Sequence, residues 1–205
     1  MPDIAVQNPI NVKLSAPALV AALDSRSLVL VGMMGAGKSS IGRRLAARLE
    51  IPFVDADAEI ERAAGMTISD IFAKHGESSF RSGEARVIAR LLDAGPQVLA
   101  TGGGAFMNAE TRGLIGQKGI SIWLKADFDI LMRRIRRRND RPLLNTENPA
   151  DTLHRLIEER YPVYQLADVT VHSRDVPHDT IVDEILSAVA QRIDAGAAPP
   201  QGEKQ

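Results

Sequence analysis

Residues 27–40 read Ser-Leu-Val-Leu-Val-Gly-Met-Met-Gly-Ala-Gly-Lys-Ser-Ser. Gly32, Gly37, Lys38 and Ser39 fill the G-x-x-x-x-G-K-[ST] spacing of a phosphate-binding loop. The chemistry needs that order. Glycines let backbone N–H groups curl around phosphate oxygens, which makes Gly35, Ala36, Gly37, Lys38, Ser39 and Ser40 the candidate nucleotide-binding residues. Lys38 would reach the β/γ-phosphates and the Ser39 hydroxyl would bind Mg²⁺. The helix starting here aims its positive end at the anion. An apolar strand pattern precedes the loop, and Ile41, Leu45 and Leu49 follow at helical spacing. The motif therefore implies a nucleoside triphosphate, and leaves open what becomes of its γ-phosphate.

Other segments offer an answer. In Phe53-Val54-Asp55-Ala56-Asp57, residues two apart on an extended strand face the same side, so Asp55 and Asp57 would project together at the strand's carboxyl end. One could help organise Mg²⁺ while the other meets a substrate hydroxyl; alternatively, Asp57 is an N-cap. Arg81 has Glu84 three residues on, a spacing that lets the carboxylate brace a guanidinium for bidentate recognition of a substrate carboxylate. Taken alone, the pair reads better as a surface ion pair of little worth. Thr101-Gly102-Gly103-Gly104 ends a strand with three glycines, which permit close approach to the backbone at an entropic cost. Arg133-Arg134-Ile135-Arg136-Arg137-Arg138 leads into Arg141-Pro142-Leu143-Leu144. A solvated helix face is the default for that run, and it lacks the interleaved aromatics of a nucleic-acid platform. Beside a phosphate loop, one arginine could stack on adenine and Arg141 could reach the transferred phosphoryl group.

The elements that must position these residues alternate. Strand patterns fall at 27–32, 52–55, 97–101, 119–124 and 168–172, with helical patterns near 38–49, 58–74, 77–94, 107–116, 127–138, 150–166 and 178–192. Strands separated by helices imply a parallel sheet with helices on both faces and a site at the carboxyl ends of the strands. The 205 residues suit one domain with a sizeable core over 25–194, preceded by an extension over 1–24 in which Ala16–Leu23 could form a short helix. Residues 57–92 hold more helix than one crossover requires and suggest a lobe over the site. The polar stretch 139–151, with Pro142 and Pro149, suggests a lid, and 195–205 reads as a disordered tail. Apolar residues make up 44% and the net charge is −1, so no global field favours nucleic acid or an anionic membrane. The absence of cysteine excludes disulfides, thiolate metal sites and a cysteine nucleophile. No stretch approaches the ~20 apolar residues of a membrane span, and no signal peptide is evident, so a cytoplasmic protein is expected.

Taken together, the segments resemble the shikimate kinases, within the nucleoside-monophosphate-kinase-like group of P-loop proteins. The resemblance runs from about Leu28 to Ala190 and rests on the ordered set 32–39, 53–57, 71–81, 101–104, 141–144 and 160–164. It implies an α/β fold of three α/β/α layers, with a five-stranded parallel sheet ordered 2-3-1-4-5. It also implies transfer of the ATP γ-phosphoryl group to the 3-hydroxyl of shikimate, in a monomer. By that resemblance Asp57 holds ring hydroxyls and accepts the proton, and Arg81 and Arg160 clamp the carboxylate with help from the Gly103 amide. Lys38 and Arg141 stabilise the moving phosphoryl group, while Ser39 ligates Mg²⁺ and Asp55 acts on it through water. The sequence departs from the group's pattern in two places. Ala100 stands where an Asp often ends the strand, and the adenine-side loop reads Val171-His172-Ser173-Arg174-Asp175-Val176-Pro177, with Arg174 the expected adenine contact. A kinase for another small hydroxylated acid such as gluconate is the rival within the class. A nucleotide switch or nucleic-acid-associated ATPase is the rival outside it, disfavoured by the missing Asn-Lys-x-Asp signature and a net charge of −1, which leaves no polyanion footprint.

Overall fold

A computed structural model describes residues 15–136 and 148–197. Five strands, β1 (Ser27–Val31), β2 (Phe53–Asp55), β3 (Val98–Ala100), β4 (Gly119–Lys125) and β5 (Val169–His172), form one sheet in the order β2-β3-β1-β4-β5. Every pairing is parallel, and Val29 in the middle of β1 is flanked by Leu99 on one side and Ser121 on the other. The central strands are buried throughout, which is why β1 and most of β4 read as unbroken apolar runs rather than as alternation. At the edge, β5 alternates, with Val169 and Val171 buried and Thr170 and His172 exposed.

Helices complete the three layers. The first group is α1 (Ala16–Leu23), α2 (Lys38–Leu49) and α8 (His178–Ala197), which pack on one another. The second comprises α4 (Ile68–Leu92), α5 (Ala109–Lys118) and α7 (Pro149–Tyr164), joined through a 3-10 turn at Ala105–Met107. The remaining helices are α3 (Ala56–Ala64) and α6 (Phe128–Ile135). The fold class and strand order expected from the sequence are those observed.

Several boundaries differ. The helix at Ala16–Leu23 forms, capped by Ser15, but it is no appendage: Leu19 and Leu23 are buried in the main core. The last helix runs to Ala197, three residues into the stretch read as tail, because Ala195 and Ala197 favour helix and the single Gly196 between them does not end it. Most of the expected lid, 139–147, lies outside the described residues; 148–151 is the capped start of α7, with Asn148 accepting from the Asp151 N–H and Pro149 in the first turn. Within 57–92 the chain turns at Gly65–Thr67, where Thr67 caps α4. It turns again at Gly76, whose φ of 76° and ψ of 171° break α4 into two helical runs. A separate apolar cluster of Ile60, Ile71 and Phe80 holds α3 and α4 together.

Asp168 ties the edge strand on. Its carboxylate accepts from the Ser121 N–H at 2.9 Å, the Ser121 hydroxyl at 2.7 Å and Arg192 Nη2 at 3.1 Å. Burial pushes this carboxyl up, but the Ser121 and Arg192 hydrogen bonds outweigh it and hold the group below its ordinary value.

Candidate active site

A cleft of about 330 Å³ opens at the carboxyl ends of the central strands. Its floor is the turn between β1 and α2. Gly37 caps α2 with φ 95°, a conformation that suits glycine, and leaves the first amides of the helix facing the cleft. Lys38 Nζ folds over the turn and donates to the Gly32 and Met33 carbonyls at 2.8 and 3.0 Å. Ser39 Oγ donates to Asp55 Oδ2 at 2.7 Å.

Asp55 and Asp57 both line the cleft, though not as neighbours on a strand. β2 ends at Asp55, and α3 begins at once. Asp55 is the N-cap, its Oδ1 accepting from the Asp57 N–H at 3.1 Å, while Asp57 sits in the first helical turn. The expectation of two strand aspartates is corrected here, and the capping role falls to Asp55 rather than Asp57. An aspartate before a helical pattern satisfies amides that would otherwise lack partners, and that preference ends the strand.

The segment 101–104 lies against the phosphate loop, where a Cβ on Gly103 would be 3.5 Å from the Met34 nitrogen and 3.6 Å from the Gly32 carbonyl, and protein side chains crowd the glycines on either side. A Cβ on Gly102 would lie 2.7 Å from Glu84 Oε1 and 2.8 Å from Asp57 Oδ1. One on Gly104 would lie 2.5 Å from the Arg81 guanidinium. Arg160, buried on α7, donates from Nη1 to the Gly103 carbonyl at 3.2 Å, and the Tyr164 hydroxyl donates to the same oxygen. Burial pushes the Tyr164 phenol up to about 12, so it stays protonated as a donor. Two guanidiniums from different helices thus meet one glycine edge.

Arg81 is held from two sides. Nη1 donates to Glu84 Oε2 at 2.7 Å, and Nη2 and Nε share Glu77 Oε1 at 3.2 and 3.4 Å. Burial works against its charge, but the two carboxylates outweigh it and raise its pKa. Glu84 is itself buried, which pushes its carboxyl above the usual range; Arg81 only partly offsets this. The bland surface-pair reading of Arg81–Glu84 does not fit a carboxylate whose side chain is 3% exposed.

Residues 34–190 match the family model described as shikimate kinase. The chain belongs to the shikimate kinase family. A shikimate kinase from Bradyrhizobium diazoefficiens is 64% identical over 184 residues, covering 89% of each chain. One from Rhodopseudomonas palustris is 62% identical over 183 residues, again covering 89% of each. Among solved structures, shikimate kinase from Acinetobacter baumannii in complex with shikimate superposes with a TM-score of 0.80 at 38% identity, covering 84% of this chain and 97% of that one. A gluconokinase from Sinorhizobium meliloti, 21% identical with a TM-score of 0.58, shares the fold.

Set in a shikimate kinase frame, the sequence-derived residues sort clearly. Gly35, Gly37, Lys38, Ser39, Ser40, Asp55, Asp57 and Gly103 line the cleft, with Arg81 and Arg160 at its glycine edge. Arg141 lies outside the described residues. Gly103 presents its carbonyl to Arg160 and Tyr164. Arg174 pairs with Glu184 on α8 at 2.9 Å and is absent from the lining. Arg134 takes the place beside the loop instead: it donates to Ser173 Oγ at 2.8 Å, the Arg174 carbonyl at 3.2 Å and the Gly35 carbonyl at 3.4 Å. Ser173 Oγ in turn donates to the Ala36 carbonyl at 2.8 Å, so the loop after β5 is sewn to the phosphate loop. Nothing local distinguishes Arg134 within its run, and nothing local marks Ile135 and His178 as cleft residues.

Proposed function

We propose that this protein transfers the γ-phosphoryl group of ATP to the 3-hydroxyl of shikimate, giving shikimate 3-phosphate and ADP, for aromatic amino-acid biosynthesis. The observation that carries this reading is the pair Arg81 and Arg160. They sit at one glycine edge, which lies against the phosphate loop that carries Lys38, with Asp57 lining the same cleft. Two guanidiniums suit a carboxylate, and a lysine on a phosphate loop suits the donor.

In the reaction, the acceptor oxygen forms a bond to the γ-phosphorus as the bond from phosphorus to the β–γ bridging oxygen breaks. Asp57 accepts the hydroxyl proton, and ADP departs with the electron pair of the broken bond. Catalysis of this kind is positioning and charge stabilisation. Arg81 and Arg160 hold the ring by its carboxylate. Lys38 and Arg141 stabilise the equatorial oxygens, the role of Arg141 resting on the resemblance of 141–144. Arg134 has the better position for the nucleoside end than Arg174, since it spans the phosphate loop and the loop after β5.

The oxygen donors Ser39 Oγ and Asp55 Oδ2 fit Mg²⁺, which takes one or two protein oxygens and completes its shell with phosphates and water. Ser39 and Asp55 would hold Mg²⁺ beside the phosphate loop, where it would supply charge neutralisation to the phosphates. β3 ends in the buried Ala100, so it adds no carboxylate to this set. The enzyme is taken to act as a cytoplasmic monomer; no helix among the described residues is long and apolar enough to cross a membrane.

The test is ADP release from ATP and Mg²⁺ with shikimate, gluconate and related hydroxy acids compared side by side. Turnover dependent on shikimate is expected. Folded protein that ignores shikimate, or prefers gluconate, overturns the reading.

A further inference from the structure

The two carboxylates on Arg81 differ in kind. Glu84 is buried, three residues ahead on the same helix, and makes the short 2.7 Å bond to Nη1. Glu77 has a side chain 61% exposed and offers a single oxygen, shared between Nε and Nη2 at 3.2 and 3.4 Å. The Nε/Nη2 edge is one of the forks through which arginine takes a carboxylate bidentately. Glu77 therefore occupies, loosely and from solvent, an edge of the guanidinium suited to an incoming acid. Its backbone position fits a movable group. It follows Gly76, where α4 leaves helical geometry, so it opens a new helical run instead of lying within a continuous one.

We infer that Glu77 is an internal stand-in for the acceptor's carboxylate, occupying Arg81 until shikimate displaces it. This rests on the reading of Arg81 as a carboxylate receptor. An acceptor carboxylate arriving at Arg81 either takes the Nε/Nη2 fork, which requires Glu77 to leave, or settles on the remaining edge beside a like charge. Both routes oppose binding, so both predict the same sign on removing the Glu77 charge. Glu84 acts in the opposite sense: it fixes Nη1 from the buried side and leaves with no acceptor. The stand-in keeps Arg81 paired beside Gly104 between turnovers, at the expense of some acceptor affinity.

Glu77→Gln tests this by isothermal titration with shikimate and by the KM for shikimate. Removing one exposed ion pair should tighten both by roughly two- to fivefold. The ratio between wild type and variant should shrink at high salt, which screens exposed charges. The KM for ATP is the control and should not move. Glu84→Gln should weaken shikimate binding. Unchanged or weakened shikimate binding in Glu77→Gln overturns the stand-in, the weakened case making Glu77 a second brace. Wild-type protein without shikimate turnover would instead overturn the functional reading, so the two failures are distinguishable.

Discussion

Gly104→Ala isolates the placement of Arg81 from its chemistry. Gly104 has φ −97° and ψ −14°, which alanine adopts freely, so the backbone is not strained by the change. The added Cβ would meet the Cζ, Nη1 and Nη2 atoms of Arg81 at 2.5 Å. Non-bonded carbon contacts settle near 3.5–4.0 Å, so the guanidinium must retreat by roughly 1 Å. It cannot retreat while keeping its 2.7 Å bond to the buried Glu84 unaltered. A displaced Arg81 no longer meets the acceptor's carboxylate, and a charge-assisted hydrogen bond of that kind contributes about 1.5–3 kcal/mol. At about 1.36 kcal/mol per factor of ten, losing it lowers kcat/KM for shikimate by roughly ten- to 150-fold. Stability should fall modestly, the weakened bond to Glu84 being partly offset because Gly→Ala restrains the unfolded chain by about 0.4–1 kcal/mol. The assay is steady-state ADP release with each substrate varied in turn, beside a thermal melt. Shikimate kcat/KM within about twofold of wild type would refute the argument that Arg81 must lie against Gly104. Equal losses for ATP and shikimate would show instead that the glycines serve the nucleotide.

Asp57→Asn removes the proposed proton acceptor, and kcat should fall by about 10²–10⁴ while ATP affinity, read by titration, changes little; equal loss of both would make Asp57 structural. Ser39→Ala deletes the hydroxyl bonded to Asp55 and should severely damage Mg²⁺-dependent turnover, a result contradicted by near-normal activity and metal dependence in a Mg²⁺ titration. For Asp168, the lowered carboxyl pKa means its stabilisation is fully present above the ordinary value of 3.8 and is lost as pH falls through the folded-state value. Asp168→Asn should therefore cost about 1–3 kcal/mol in urea unfolding at neutral pH, with the gap to wild type closing in acid; a gap independent of pH would refute the linkage.

The phosphate loop and its flanks were legible because strand, glycines, lysine and apolar helix face all lie within 27–49, where local rules suffice. The five strands were legible for a related reason: buried parallel strands are apolar runs bounded by helices. What local rules misjudged was the junction at 55–57, where no glycine or proline marks the passage from β2 to α3 and the cap itself is the boundary. The Thr67…Asp70 spacing is a capping signal, and it marks the start of α4, yet the apolar pattern on either side hid the turn at 65–67. The glycine run at 102–104 was recognised as a place of close approach, but no sequence rule says that Asp57, Glu84 and Arg81 are what approach it. Likewise Arg134 is distinguished from its neighbours only by partners 99 and 39 residues away in the chain, at Gly35 and Ser173.

The chain's single tryptophan, Trp123, is 1% exposed on β4 and lies 5.0 and 5.9 Å, ring to ring, from Tyr161 and Tyr164. Tyr164 carries the hydroxyl bonded to the Gly103 carbonyl, which Arg160 also grips. The acceptor edge is therefore linked through one phenol to the only indole, and that indole is buried against two aromatic rings. The protein carries its own optical label: its tryptophan emission arises from one place, so a rearrangement at Gly103 on acceptor binding should register there, without dye or coupling enzyme, on unmodified enzyme.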